Sequence, residues 1–317
     1  MKTKILVPFL SIPLLFQIVS CSNESKIEFS INKDGIITGF VGEPKNIVIP
    51  EYINDIKVVS IGNDAFKDCK TLKKVVISNG IKSIGDNAFS GCFYLRSLTL
   101  PNTLESIGSH SFYGCGNVLD FEIPDSLKTI GDYAFYDCAL IHNFSIPDTV
   151  TDIGEYAFGH CRFLKTLRLP SNIAEIKDGL CYFCDNLTSI EIPNAVTSIG
   201  ERAFWACLSI TSLSIPDNVI STNEYSFYHC EHLSTVVGGK GLNHLGRFSF
   251  ECCYVLDKFY YAGTQDDWKK IEIDDRNIIG CKMYYTSQPN FIYYYSTEKP
   301  VEKGNFWHYV NGIATKW

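Results

Sequence analysis

Nine cysteines, Cys69, Cys92, Cys115, Cys138, Cys161, Cys184, Cys207, Cys230 and Cys253, stand one every 23 residues without a slip. Three positions before each is Phe66, Phe89, Phe112, Phe135, Phe158, Phe204, Phe227 or Phe250, with Cys181 the exception. Three positions after each is an aliphatic residue, such as Leu95, Val118 or Ile141. An apolar pair such as Leu98 and Leu100 follows, then a proline such as Pro101, then an aliphatic-x-x-Ile-Gly step such as Leu104, Ile107 and Gly108. A unit this small cannot bury its own core, so a fixed period of this size predicts a solenoid whose units bury one another by stacking. The leucine spacing puts two residues of each unit on the inner face of a short strand, and the proline stops that strand. The Ile-Gly step then turns the chain, and the Ala-Phe pair returns the ring to the core on a turn or short helical segment.

The period also decides how to read a chain of 317 residues, long enough for two domains. An array grows by adding units, so one elongated body is expected, and 45% hydrophobic residues supply a large core. Outside that body, Lys2 and Lys4 precede an apolar run from Ile5 to Val19, which has the build of a secretory signal. It ends on Ile18-Val19-Ser20-Cys21, which resembles the bacterial lipobox, where the cysteine takes a diacylglycerol; the alternative is an ordinary cleaved signal beside a chance cysteine. Residues 1–20 are therefore read as a lipoprotein signal and 21–26 as a tether. Removing residues 1–20 takes away two lysines and no acids, which moves the formal charge from −7 to −9 and argues against a nucleic-acid partner.

Residues 27–46 are read as a β cap, because alternation around Lys33-Asp34-Gly35 predicts a hairpin that would cover the first open edge. The array is assigned to 47–261. Three units depart from the pattern: Lys177 with Leu180-Cys181, Thr222-Asn223, and Gly238-Gly239, the last expected to bend the array. Residues 262–317 are read as a C-terminal cap and aromatic β tail, with a strand over 291–296 and a hairpin around Asn311-Gly312.

The unit running from Leu140-Ile141-His142-Asn143-Phe144-Ser145-Ile146-Pro147 through Ile153-Gly154-Glu155-Tyr156-Ala157-Phe158-Gly159-His160-Cys161 resembles the BspA-type leucine-rich repeat. Tyr261-x-Gly263-Thr264-x-x-x-Trp268 resembles the segment that often ends such arrays, and the tail with Trp307-His308-Tyr309 is similar to a C-terminal piece on bacterial members. The resemblance implies a right-handed curved solenoid, mainly β with short turns or helical segments and hairpin caps, on a secreted or surface-anchored protein of the adhesive kind. Function carries over weakly from a family defined by its scaffold.

No nucleophile elbow, zincin motif, phosphate loop or dinucleotide fingerprint occurs, and Gly238-Gly239-Lys240-Gly241 lacks phosphate-loop spacing. Stacked cysteines would lie about 4.7–4.9 Å apart with parallel side chains, poor disulfide geometry, so the ladder is read as packed thiols. The off-period Cys181, Cys252 and Cys281 are better candidates for bonding. Cys181-x-x-Cys184 leaves packing, a local disulfide, a redox pair or a metal site open. His160 and His229, three units apart, cannot share one ion, whereas His229-Cys230-Glu231-His232 is denser.

No catalytic residue, cofactor or metal ligand is assigned, and the chain is expected not to be an enzyme. The candidate binding face is the set of outward strand positions, notably Lys74, Thr99, Asp120, Glu122, Asn143, Thr166, Arg168, Glu191, Lys258 and Tyr260. Solenoids bind through such extended concave surfaces. The expected protein is a membrane-anchored, extracytoplasmic lipoprotein, held at the cell surface through Cys21, whose partner is a protein or glycan at a cell or host surface. A spacer module without specific binding is one alternative. A carbohydrate-binding module using Tyr293, Tyr295, Trp307, Tyr309 and Trp317 is another.

Overall fold

A computed structural model describes residues 27–274, 292–300, 304–311 and 313–317. Cys21, Cys281, the signal and the tether lie outside the described residues. The chain is a β-solenoid with almost no helix; the helix Gln265–Trp268 is the one found among the described residues. Each coil has three sides, and each repeats the 23-residue period.

The first side carries the Leu-x-Leu strands. Asn46–Ile49, Lys74–Ile77 and Ser97–Thr99 form one parallel sheet, and Asn143–Ser145, Thr166–Arg168 and Ser189–Ile190 form another. A third starts at Ser212–Ile215 and runs through Thr235–Gly238 and Lys258–Tyr261 to the C-terminal strands. Residues 120–122 form no strand. Their unit and the next place Phe121 and Phe144 where neighbouring units have Leu98 and Leu167. Phe121 stays half-buried against Phe135 and Phe144, at 5.7 and 5.3 Å between ring centroids. Two rings in succession need more room than two leucines, and the regular rung is lost there. The Asp120 carboxylate instead accepts the backbone N–H groups of His142 and Asn143, at 2.6 and 3.3 Å.

The second side was expected to be only a turn. Its two-residue strands, such as Ser83–Ile84, Ser106–Ile107 and Thr129–Ile130, form a second parallel ladder. The glycine after each isoleucine allows the rungs to approach: a Cβ at Gly154 would lie 2.3 Å from the backbone nitrogen of Asp132. Lys177 brings such a Cβ, and the ladder divides there, between Asp152–Ile153 and Glu175–Ile176. Asn223, the other departure, keeps its bond to the carbonyl of Ile199 at 2.9 Å.

The third side is a stack of turns without helix. Left-handed residues such as Tyr133 (φ 54°) and Asp137 (φ 58°) aim N–H groups along the stack, where they meet Glu155 O and Gly159 O at 2.8 Å. Between them the phenylalanines form an internal column, with Phe66, Phe89, Phe112 and Phe135 parallel within 4° at centroid separations of 5.0–5.5 Å. All the ladder phenylalanines are fully buried.

At Gly238-Gly239, where the sequence suggested a bend, the ladder stays in register. Gly238 pairs in register with Ile215 and Tyr261, and a Cβ on it would lie 2.8 Å from the Phe259 ring. The glycine therefore makes room for a ring.

The two ends close on different sides. The N-terminal hairpin, Glu28–Ile31 with Ile36–Val41, joins the second ladder at Ser60–Ile61. The C-terminal strands extend the first side: Ile292–Tyr295 adds parallel to Lys258–Tyr261, Phe306–Val310 follows, and Ile313–Lys316 returns antiparallel. The tail is thus a continuation of the array rather than a separate sheet.

Candidate functional site

On the strand side, inward and outward residues alternate as the pleat requires. Lys74, Thr99, Asp120, Glu122, Asn143, Thr166, Arg168 and Glu191 are exposed. Two depressions lie on this side. One, of about 620 Å³, is lined by Asn143, Ser145, Thr166, Arg168, Ser189 and Glu191 among others. The larger, of about 1710 Å³, includes Thr99, Asp120, Glu122, Asp125 and Asp148 and spans the irregular rung. They meet at Asn143, Ser145 and Arg168. Arg168 is held in place, donating to Ile146 O at 2.7 Å and to Asp148 Oδ2 at 2.9 Å, while Thr166 donates to Asn143 Oδ1 at 2.8 Å. The backbone N–H of Ser171 and the Arg168 guanidinium hold the Asp148 carboxyl below its ordinary pKa. The result is a shallow polar trough with one ordered cation between carboxylates.

The last rung departs from expectation. Lys258 is half-buried and Tyr260 is buried, 4% exposed, because the tail continues the sheet and covers it. The Tyr260 ring meets Tyr293 and Trp307 at 5.3 and 5.4 Å, so Tyr260 is removed from the binding face. Trp307 is itself fully buried and donates through Nε1 to Tyr261 O at 2.8 Å, which makes it part of the cap; Tyr309 and Trp317 stay exposed.

A family model described as the BspA type leucine rich repeat region (6 copies) matches residues 59–184 and 151–272. The chain belongs to the BspA-type leucine-rich repeat family. Among solved structures, the leucine-rich repeat protein of T. pallidum (TpLRR) is 31% identical, with TM-score 0.55, over 59% of this chain and 91% of that one. A leucine-rich repeat protein from Bacteroides ovatus is 26% identical, with TM-score 0.60, over 77% of this chain and 71% of that one. The sequence matches none of the curated proteins compared with it.

In this BspA-type array the cysteine ladder has a definite task. From Cys92 onward each ladder thiol donates to a carbonyl of the preceding coil, that of the ladder phenylalanine in all cases but one, as Cys92 does to Phe66 O at 3.1 Å and Cys161 to Phe135 O at 3.2 Å. Burial raises the pKa of Cys92 to about 12 and pushes up those of Cys115, Cys138, Cys161, Cys207 and Cys253, which favours the neutral donor over the thiolate there. At the one unit lacking phenylalanine, Cys207 donates to Cys181 O at 3.2 Å. Cys181 and Cys252, expected to be the better candidates for bonding, are free cysteines. Cys181 is fully buried as the stand-in for a ladder phenylalanine, so packing accounts for it.

His229-Cys230-Glu231-His232 does not converge on an ion. Cys230 points inward to Phe204 O at 3.3 Å, His232 Nδ1 lies 2.7 Å from Leu208 O, and His229 pairs with Glu231 at 3.2 Å. No group of three or more His, Cys, Asp or Glu residues able to hold a metal occurs among the described residues.

The turn side carries a feature that the sequence analysis missed. His110, Tyr133 and Tyr156 stack at 4.9 and 5.0 Å, and beside them Tyr113 stacks on Tyr136 at 5.2 Å. The band continues through Tyr182, Trp205 and Tyr228, and through Tyr225 and Phe248. Burial pushes the Tyr136 hydroxyl up to about 12. Gly179 is required in this band, since its φ is +59° and a Cβ there would lie 2.1 Å from the Tyr156 ring. The signal was in the sequence, with rings at the same 23-residue spacing, but the direction of a side chain on a tight turn obeys no alternation rule.

Proposed function

We propose that the chain is a lipid-anchored protein of the bacterial cell surface that binds a protein or glycan through the strand side of its solenoid. The observation that carries this reading is the pair of adjoining depressions over consecutive rungs, meeting at Asn143, Ser145 and Arg168. Their lining mixes outward polar and charged side chains with apolar strand residues such as Leu98 and Leu167, and their form is extended, as suits a macromolecule rather than an enclosed small ligand. The formal charge of −7 argues against nucleic acid.

The anchor rests on Cys21 at the end of the apolar run. Two or more acyl chains hold a protein on a membrane where one holds it only marginally. Cys21→Ser should abolish labelling by radioactive palmitate, and persistent labelling would refute the anchor.

The binding reading is tested by recovering partners from host extracellular matrix and bacterial surface extracts, then measuring affinity for variants. Arg168→Glu and Glu122→Lys should each weaken binding about tenfold. The turn-side change His160→Ala should leave it unaltered. If His160→Ala abolishes binding while both strand-side variants bind normally, the site is elsewhere; a spacer would show no saturable partner at all.

A further inference from the structure

Beside the aromatic band on the turn side runs a column of acids, one per coil: Asp132, Glu155, Asp178, Glu201 and Glu224. Each stands immediately before the left-handed residue of its coil, which is Tyr133, Tyr156, Gly179, Arg202 or Tyr225. Backbone bonds between coils keep the column in step: Tyr133 N–H donates to Glu155 O and Tyr156 N–H to Asp178 O, both at 2.8 Å, and Arg202 N–H donates to Glu224 O at 3.0 Å. Asp132 and Asp178 each use one oxygen to accept the next coil's backbone N–H, at 2.9 and 2.7 Å. The band spans six steps from His110 to Phe248, roughly 29 Å at about 4.8 Å per rung.

We propose that this side is a second docking surface, separate from the strand side, and that its partner is an extended, arginine-rich polypeptide segment.

Three observations specify that occupant. The first is the residue type at the left-handed positions. Asn87 and Gly179 are ordinary there, whereas His110, Tyr133, Tyr156, Tyr225 and Phe248 hold bulky rings at φ of 53–58°. That conformation disfavours large side chains, so the backbone alone does not select rings. The second is the charge beside them, since a row of carboxylates complements a row of cations. The third is that the surface already holds guanidinium groups of its own. Arg202 lies 5.6 Å from the Trp205 ring centroid and 5.2 Å from that of Tyr225, and it pairs with Glu201. Arg247 lies 4.7 Å from the Phe248 centroid. The rings stack mainly on one another, so an incoming arginine would meet ring edges and tyrosine hydroxyls. Its aliphatic stem would lie on the band and its planar head would reach the carboxylates.

The probe is a fluorescein-labelled peptide of alternating arginine and serine, titrated by anisotropy against the full chain at physiological salt. Saturable binding is expected, weakened about tenfold by the double change Glu155→Lys with Glu224→Lys. The milder Glu155→Gln with Glu224→Gln should weaken it about threefold, and it serves if the lysine variant misfolds. A strand-side pair of equal charge, Glu122→Lys with Glu191→Lys, should stay within about twofold of the parent. Equal weakening by both lysine pairs would reduce the effect to general acidity and overturn the proposal, as would the absence of saturable binding. Because the strand-side pair belongs to the other proposed site, either reading can fail without the other.

Discussion

The strand side and the turn side are made by the same coils at the same period, yet they present different surfaces. On the strand side, successive residues alternate in and out, the outward positions are mostly polar or charged, and a shallow trough runs between rungs. On the turn side the outward positions hold half-buried rings stacked from coil to coil. The difference shows what a repeat constrains. Every coil must offer the same inner shape to its neighbours, so Phe66 to Phe250 and Cys69 to Cys253 barely vary. Outward residues are free of that demand, and each side can be shaped for a separate partner.

This contrast predicts a gradient of effects on stability. The largest belongs to the inner turn side, where Phe135 is fully buried and stacked between Phe112 and Phe158 at 5.5 Å. Phe135→Ala should cost about 3–5 kcal/mol, seen as a lower urea midpoint, and an unchanged midpoint would contradict the stacking model. The next concerns the outer turn side. Gly179→Ala should cost about 1–3 kcal/mol, from the left-handed backbone and from contact with the Tyr156 ring. Adding Tyr156→Ala should recover the part due to the ring, which a thermodynamic cycle would separate from the backbone part. The smallest effect belongs to the strand side. Arg168 is about half exposed, with its side chain at 51%, so Arg168→Glu should move stability by no more than about 0.5 kcal/mol while weakening the partner. A larger loss would mean that the Arg168 contacts to Ile146 and Asp148 hold the fold rather than the site.

A pattern of this strength leaves little of the core to chance. The buried phenylalanines, the aliphatic positions after each cysteine, the strand faces and both hairpin caps were readable from spacing alone. Most of the candidate face was readable too, because alternation on a strand fixes which residues point outward. The misreadings share a cause. Tyr260 has an outward position in its own unit but is covered by Ile292–Tyr295 and Phe306–Val310, strands far along the chain. Gly238 has no evident packing role until Phe259 is placed against it.

The sequence by itself determined the solenoid, its period and its inner columns, because stacking equivalent units forces the same residue types to recur at the same inner positions. Only the tertiary structure decided what the cysteines do, since a thiol reaching the carbonyl of the preceding coil is a contact between units. It also decided that the Ile-Gly step is a second ladder and that Phe121 and Phe144 interrupt the first. The tyrosines of neighbouring turns likewise form one band only when the coils are stacked. Each of these depends on how one coil meets the next, and the distance and angle of that meeting are set by packing along the whole array.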